Sequence, residues 1–215
     1  DRFAFRMIAW LKDILDPKRL PWTHLVLVSF AALLVAIPPW RDLFVYDRAA
    51  IAAGQLWRLW TGHIVHFGWP HGFADGSLFV LLGWYLQRTQ RKFSYWSLVL
   101  LPAVVSLSLF WFDPAMGVYG GLSGVNVGLL VYLACRGWQR DLFDWFWPAI
   151  LLIHVIELWI EVHYHGTGGG AIRFDNASIH VATVAHVGGA LYGVAAWGAQ
   201  AILRRGTKPP VPEKE

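Results

Sequence analysis

Gly120-Gly121-Leu122-Ser123-Gly124-Val125-Asn126-Val127-Gly128 carries a glycine at every fourth position: Gly120, Gly124 and Gly128. On a helix these share one face, and small residues there let a second helix backbone come close. The stretch Ala185-His186-Val187-Gly188-Gly189-Ala190-Leu191-Tyr192-Gly193 repeats the pattern with Gly189 and Gly193, and His186 joins them at i, i+3 and i+7. Both stretches sit in apolar sequence. A hydroxyl and an imidazole in such surroundings are costly unless something uses them. The expectation is two membrane helices pressed together on glycine faces, with Ser123 on one and His186 on the other.

Composition agrees with a bilayer setting. Of 215 residues, 56% are hydrophobic and 15% charged. The mean hydropathy is +0.44, in the range of polytopic membrane proteins. The 14 Trp residues suit membrane interfaces. The net charge of +4 is modest, and the basic residues are spread over several connections, which argues against a nucleic-acid partner. Cys135 is the only cysteine, so neither an intrachain disulfide nor a cysteine metal cage can form. No cofactor and no metal are expected.

Six apolar spans are legible, at about Trp22–Ile37, His71–Leu86, Phe93–Trp111, Leu122–Cys135, Trp145–Ile160 and His180–Leu203. The fold expectation is therefore all-α: a polytopic six-helix membrane bundle over residues 21–204. Residues 1–20 space Phe3, Met7, Trp10, Leu11 and Ile14 like an amphipathic helix lying on the membrane surface. Residues 205–215 form a polar tail. Lys and Arg gather before the first span, after the second, after the fourth and in the tail. The opposite connections carry Arg41, Arg48 and Arg58 in one long loop, and Arg173 alone in the last. The positive-inside rule then puts both termini in the cytoplasm. Spans two, four and six start at the outer face. Ser123 lies in the first turn of span four. His186 lies six residues past His180, roughly 9 Å along a helix. The pair shares a shallow depth that water can reach from outside.

Serine is a weak nucleophile until a base takes its proton, and histidine is suited to that role. A serine at a helix start also has backbone N–H groups beside it that lack helical partners and can stabilise an oxyanion. A further polar group opens span two: His63, His66, His71 and Asp75. His71 and Asp75 are four apart and face one way. His71 is an oxyanion donor candidate. Asp75 donates to an oxyanion only if protonated; if ionised it repels one, or pairs with His71 instead.

These residues resemble a known family. Gly121-Leu122-Ser123-Gly124 is similar to the GxSG motif of the rhomboid intramembrane serine proteases. Ala185, His186 and Gly189 match their AH-x-x-G pattern, Trp57-Arg58 their loop signature, and His66 and His71 the histidines leading into their second span. The similarity runs from Trp57 to Gly193 in the family's order. It implies a nucleophile at Ser123, a general base at His186 and an oxyanion-hole donor at His71; Asp75 and the backbone at Ser123 are the further members expected of that hole from the residues themselves. The implied activity is cleavage of transmembrane or membrane-anchored proteins near the outer face of a bacterial inner membrane. Three positions depart from the family pattern: Asp75 stands for the usual Asn, Val127 for a Tyr, and Gln87 for a Glu. The GLSGV segment also resembles the rhombosortases, which trim C-terminal sorting tails of exported proteins.

Other polar groups have plainer readings. His154, Glu157 and Glu161 form a stripe in span five that is expected to bond within the bundle; a proton or ion path is the competing use. His63 and His66 are read as loop hydrogen-bonding groups, with no carboxylate or cysteine at fitting spacing for zinc. Gly166-Thr167-Gly168-Gly169-Gly170 lacks the strand and Lys-Ser/Thr context of a phosphate loop. It reads equally as a substrate flap or a surface loop. Against the protease reading stands a non-catalytic relative that binds or escorts membrane segments.

Overall fold

The computed structural model describes residues 16–140, 145–163 and 182–206. The expected surface segment at the N-terminus, the Gly166–Gly170 run and most of the tail lie outside these. So do the side chains of His154, Glu157 and Glu161.

In chain order the described elements are α1 (Trp22–Ala36), α2 (Pro38–Phe44), β1 (Tyr46–Asp47), α3 (Arg48–Ala52) and α4 (Arg58–Thr61). A 3₁₀ turn (Gly62–Ile64) leads to α5 (Trp69–Thr89), followed by α6 (Arg91–Phe112), β2 (Val118–Tyr119), α7 (Ser123–Arg140), α8 (Phe146–His163) and α9 (Thr183–Gly206). Local sequence explains the breaks. Pro38 forces Ile37 out of helical geometry, at φ −124° and ψ 79°, and α1 ends there. Pro70 sits in the first turn of α5, where its missing N–H costs nothing. Gln90, at φ −148° and ψ 52°, separates α5 from α6.

Among the described residues, six helices overlap the six expected apolar runs, with ends displaced. α5 begins at Trp69 rather than His71, and α7 continues to Arg140 rather than Cys135. Apolar runs mark where lipid is; good helix formers such as Arg and Gln carry the helix past it. Among the described residues, only α6 is long and apolar enough to cross a membrane by composition alone, with a mean hydropathy of 1.8 over its best window. α1 is apolar but shorter. α5, α7 and α9 fall short because they carry the polar groups that face inward: His71, Asp75, Asn126, Arg136 and His186 are all buried. Outward, Phe73, Trp111, Phe112, Ile202 and Leu203 are each 70% exposed or more. A polar interior under an apolar surface suits lipid, not water.

α7 is the central helix. Leu129, Leu130, Val131, Tyr132, Leu133 and Ala134 are all buried, so no face of this stretch reaches the surface. α9 packs on α7 most closely, backbone to backbone. A Cβ added to Gly124 would lie 2.9 Å from the Ala185 carbonyl oxygen, and one on Gly128 would lie 2.9 Å from the Gly189 carbonyl oxygen. A Cβ on Gly189 would collide with the Gly124 carbonyl oxygen. Gly124, Gly128, Gly189 and Gly193 are thus the helix contact that the spacing predicted, whereas Gly120 lies before α7 begins and packs against Val65 and Phe67 of the long loop. His24 fills a similar role on the other side: its ring lies against Gly83 of α5, 4.7 Å from the Phe79 ring.

The long loop between α1 and α5 is tied down by its basic residues. Arg58 is buried; its Nη1 donates to the carbonyls of Asp42 at 3.0 Å and Val45 at 2.7 Å, and its Nε to Gln55 Oε1 at 2.8 Å. Arg48 donates to the Phe110 carbonyl at 2.5 Å, with its guanidinium 4.5 Å from the Phe110 ring centre. These two cations are structural staples. Lysine cannot reproduce the three-pronged Arg58 geometry. Arg58→Ala should cost about 2–4 kcal/mol by orphaning buried carbonyls. Thermal unfolding in detergent should show a midpoint several degrees lower, with Arg58→Lys rescuing little.

His63 anchors the same loop to α6. Its Nε2 lies 2.9 Å from both the Pro102 carbonyl and Ser106 Oγ, and Ser106 donates onward to the Leu59 carbonyl at 2.8 Å. This bears out the hydrogen-bonding reading of His63. Burial pushes its pKa from the ordinary 6.5 down to about 4. The folded protein therefore resists a proton that the unfolded chain accepts. Stability from this group is complete above pH 6.5 and falls as pH drops toward 4, by up to about 3 kcal/mol. Unfolding midpoints measured between pH 7 and 4 should show that loss, and His63→Gln should flatten it.

Candidate active site

The site forms where three parts of the chain meet: the start of α7, the start of α9 and the first turns of α5. β1 and β2 pair antiparallel, Tyr46 opposite Tyr119 and Asp47 opposite Val118. This pairing pins the segment before Ser123 to the long loop, and Arg48 N–H bonds to the Gly117 carbonyl at 2.9 Å. Gly121 then turns the chain into α7 at φ +142°, a left-handed conformation open to glycine.

Ser123 is the first residue of α7, and it is partly exposed. Asn126 N–H is bonded to the Leu122 carbonyl at 2.8 Å, so the preceding N–H groups of that turn point out of the helix end. His186 is buried in the first turn of α9, its N–H 3.3 Å from the Ala182 carbonyl. The described helix begins at Thr183, so His186 is nearer the helix start than the sequence suggested. Each residue adjoins the close crossing of the two helices: Gly124 follows Ser123, Ala185 precedes His186, and a Cβ on Gly124 would lie 2.9 Å from the Ala185 carbonyl oxygen.

Beneath the Gly121 turn lies a second group. Asp75 Oδ2 accepts the Leu122 N–H at 2.9 Å, and it lies 3.1 Å from His71 Nε2 and 3.3 Å from His66 Nε2. A carboxylate oxygen that already accepts a backbone N–H asks each ring for a donor, which sets the Nε2–H tautomer on both histidines. The two rings meet edge to face at 4.9 Å. Asn126 Nδ2 donates to the Asp75 carbonyl at 3.0 Å, joining α7 to α5. Of the alternatives open for Asp75, the structure has the pairing with His71. It also supplies the carboxylate that the spacing of His63 and His66 lacked.

Two contributors escape sequence reasoning. Tyr119 donates to the Gly121 carbonyl at 2.9 Å, and its phenol is in hydrogen-bonding reach of the Ser123 side chain and the Gly124 N–H. Burial, with the Asp75 charge nearby, pushes its pKa well above the usual phenol range, so it stays a neutral phenol. Asn126 is the other; a buried amide in an apolar run was its only signal. Val127 is buried in α7, where the resembled family's tyrosine would stand.

Fold and site together define a helical membrane protein with a cluster of buried polar groups, His66, His71, Asp75, Asn126 and His186, near one end of a glycine-lined crossing. The family model of the Rhomboid domain matches residues 53–200, and the chain belongs to the rhomboid family, integral membrane proteins that include intramembrane proteases. Comparison with curated proteins gives no match.

Proposed function

We propose that this chain is an intramembrane serine endopeptidase with a Ser123–His186 dyad. The observation that supports the proposal is the close approach of the Gly124 and Ala185 backbones, the chain neighbours of Ser123 and His186. A substrate segment unwinds near the outer face. Ser123 Oγ attacks the scissile carbonyl carbon as His186 takes the hydroxyl proton. The oxyanion is met by the Ser123 N–H and the start of α7, and by His71, whose Nε2–H turns from Asp75 toward it. His186 returns its proton to the leaving amine, and an acyl-enzyme remains on Ser123. Water then attacks the acyl carbon as His186 accepts its proton; His186 passes that proton to Ser123 Oγ as the acyl–oxygen bond breaks, and the carboxylic acid leaves the restored hydroxyl. Asp75 is a positioning residue: it holds the His71 ring and the Leu122 N–H in place, and does not donate.

The same reading has six membrane crossings with both termini in the cytoplasm, in a bacterial inner membrane. Its substrates are transmembrane or membrane-anchored proteins, and the GLSGV segment adds the C-terminal sorting tails of exported proteins as one class to try. One observation favours a second reading, a non-catalytic binder of membrane segments: the Asp75 carboxylate already engages donors that an oxyanion would need.

Reconstitution with a labelled transmembrane reporter tests the proposal. The wild-type chain should cut the reporter near its outer end, and His186→Ala should leave it intact. A reporter bound with measurable affinity but never cut by the wild type would favour the binder instead.

A further inference from the structure

We propose that His66, His71 and Asp75 form a site for a divalent transition cation of the zinc class, lying under the Gly121 turn. The three side chains are buried, and one donor atom from each lies within 4.8 Å of the others. The two His–Asp separations are 3.1 and 3.3 Å. A tetrahedral ion with bonds of about 2.0–2.2 Å holds neighbouring ligands about 3.3–3.6 Å apart, so the His66 edge fits and the His71 edge needs to widen by only a few tenths of an ångström. Two imidazoles and one carboxylate form a ligand set suited to zinc, leaving a fourth position for water.

A Cβ on Gly121 would lie 3.0 Å from His71 Nε2 and 3.4 Å from Asp75 Oδ2, so only glycine lets the chain pass this close over the donor atoms without pressing on them. His66 is fully enclosed, whereas the His71 and Asp75 side chains each keep about a tenth of their surface open, so the cluster is not sealed on every side. Each ring is neutral as it binds: its proton moves from Nε2 to Nδ1, and the freed Nε2 lone pair meets the metal. The ion thereby takes the His71 Nε2 that the proposed oxyanion hole uses. On the protease reading, it is an inhibitor rather than a cofactor.

Binding is read without any cleavage assay. The full chain, purified without a histidine tag, is titrated with Co²⁺ and followed by its visible ligand-field bands. One equivalent should bind and be displaced by Zn²⁺, and Ser123→Ala should bind as the wild type does. Asp75→Asn and His66→Gln should each weaken binding at least about tenfold, and Zn²⁺ should raise the unfolding midpoint of Ser123→Ala alone but not of Ser123→Ala carrying Asp75→Asn. Absence of bands in the wild type, or bands unchanged in both variants, overturns the site. The inhibitory effect is read separately, as loss of reporter cleavage with added Zn²⁺. Cobalt binding in a chain that never cleaves would sink the protease reading and leave the metal site standing. Cleavage without cobalt binding would do the reverse.

Discussion

Ser123→Ala should reduce reporter cleavage by about 10⁴-fold or more, to the limit of detection, while the protein inserts and unfolds like the wild type. The expected size follows from the chemistry. Without the hydroxyl no acyl-enzyme can form, and the residual site offers only oxyanion stabilisation and binding. Ser123 is partly exposed at a helix end, so losing one oxygen there removes little packing. His186→Ala should be nearly as severe, and the double variant no worse than either single one, because nucleophile and base act as a unit. Cleavage kinetics in proteoliposomes, with unfolding midpoints as the control, check this. Additive losses in the double variant would mean that the two residues work separately.

Gly189→Ala should be the most damaging substitution outside that pair. Its new Cβ would fall on the Gly124 carbonyl oxygen, with Gly124 C at 3.1 Å and Gly128 N at 3.2 Å. All three neighbours are backbone, so no rotamer change relieves the clash. α9 must move away from α7, at a cost of about 3 kcal/mol. Because Ser123 and His186 adjoin that crossing, a shift of one ångström should also lower cleavage by about 100-fold. Gly198→Ala on the same helix is the control. Nothing lies within 4 Å of its added Cβ, and alanine favours the helix by up to about 1 kcal/mol. Unfolding midpoints of the two variants should therefore move in opposite directions, and cleavage should fall in Gly189→Ala while staying at the wild-type rate in Gly198→Ala. A Gly189→Ala protein as stable and active as Gly198→Ala would contradict the close crossing.

The glycine faces were readable because helix periodicity is local: Gly124, Gly128, Gly189 and Gly193 announce a contact by spacing alone. The long helices were readable for the same reason. What sequence could not convey was contact across distance. Leu122 N–H and Asp75 Oδ2 are 47 positions apart, and nothing local shows that the carboxylate receives that N–H along with His66 and His71. The two-residue strands β1 and β2 are too short for an alternating pattern, so the pairing that fixes the segment before Ser123 was invisible. Arg48 and Arg58 counted in sequence as topological charges, yet their guanidinium groups are spent on carbonyls within the long loop and α6. Tyr119 reads as one more aromatic until the fold brings its phenol to the Gly121 turn.

The central claim, that Ser123 is a nucleophile activated by His186, is tested most directly by a fluorophosphonate probe and peptide mass spectrometry on the purified chain. The account predicts one phosphonyl group on the peptide containing Ser123, with labelling slowed by orders of magnitude in His186→Ala. Labelling at another serine, or at Ser123 with equal speed in His186→Ala, would contradict it.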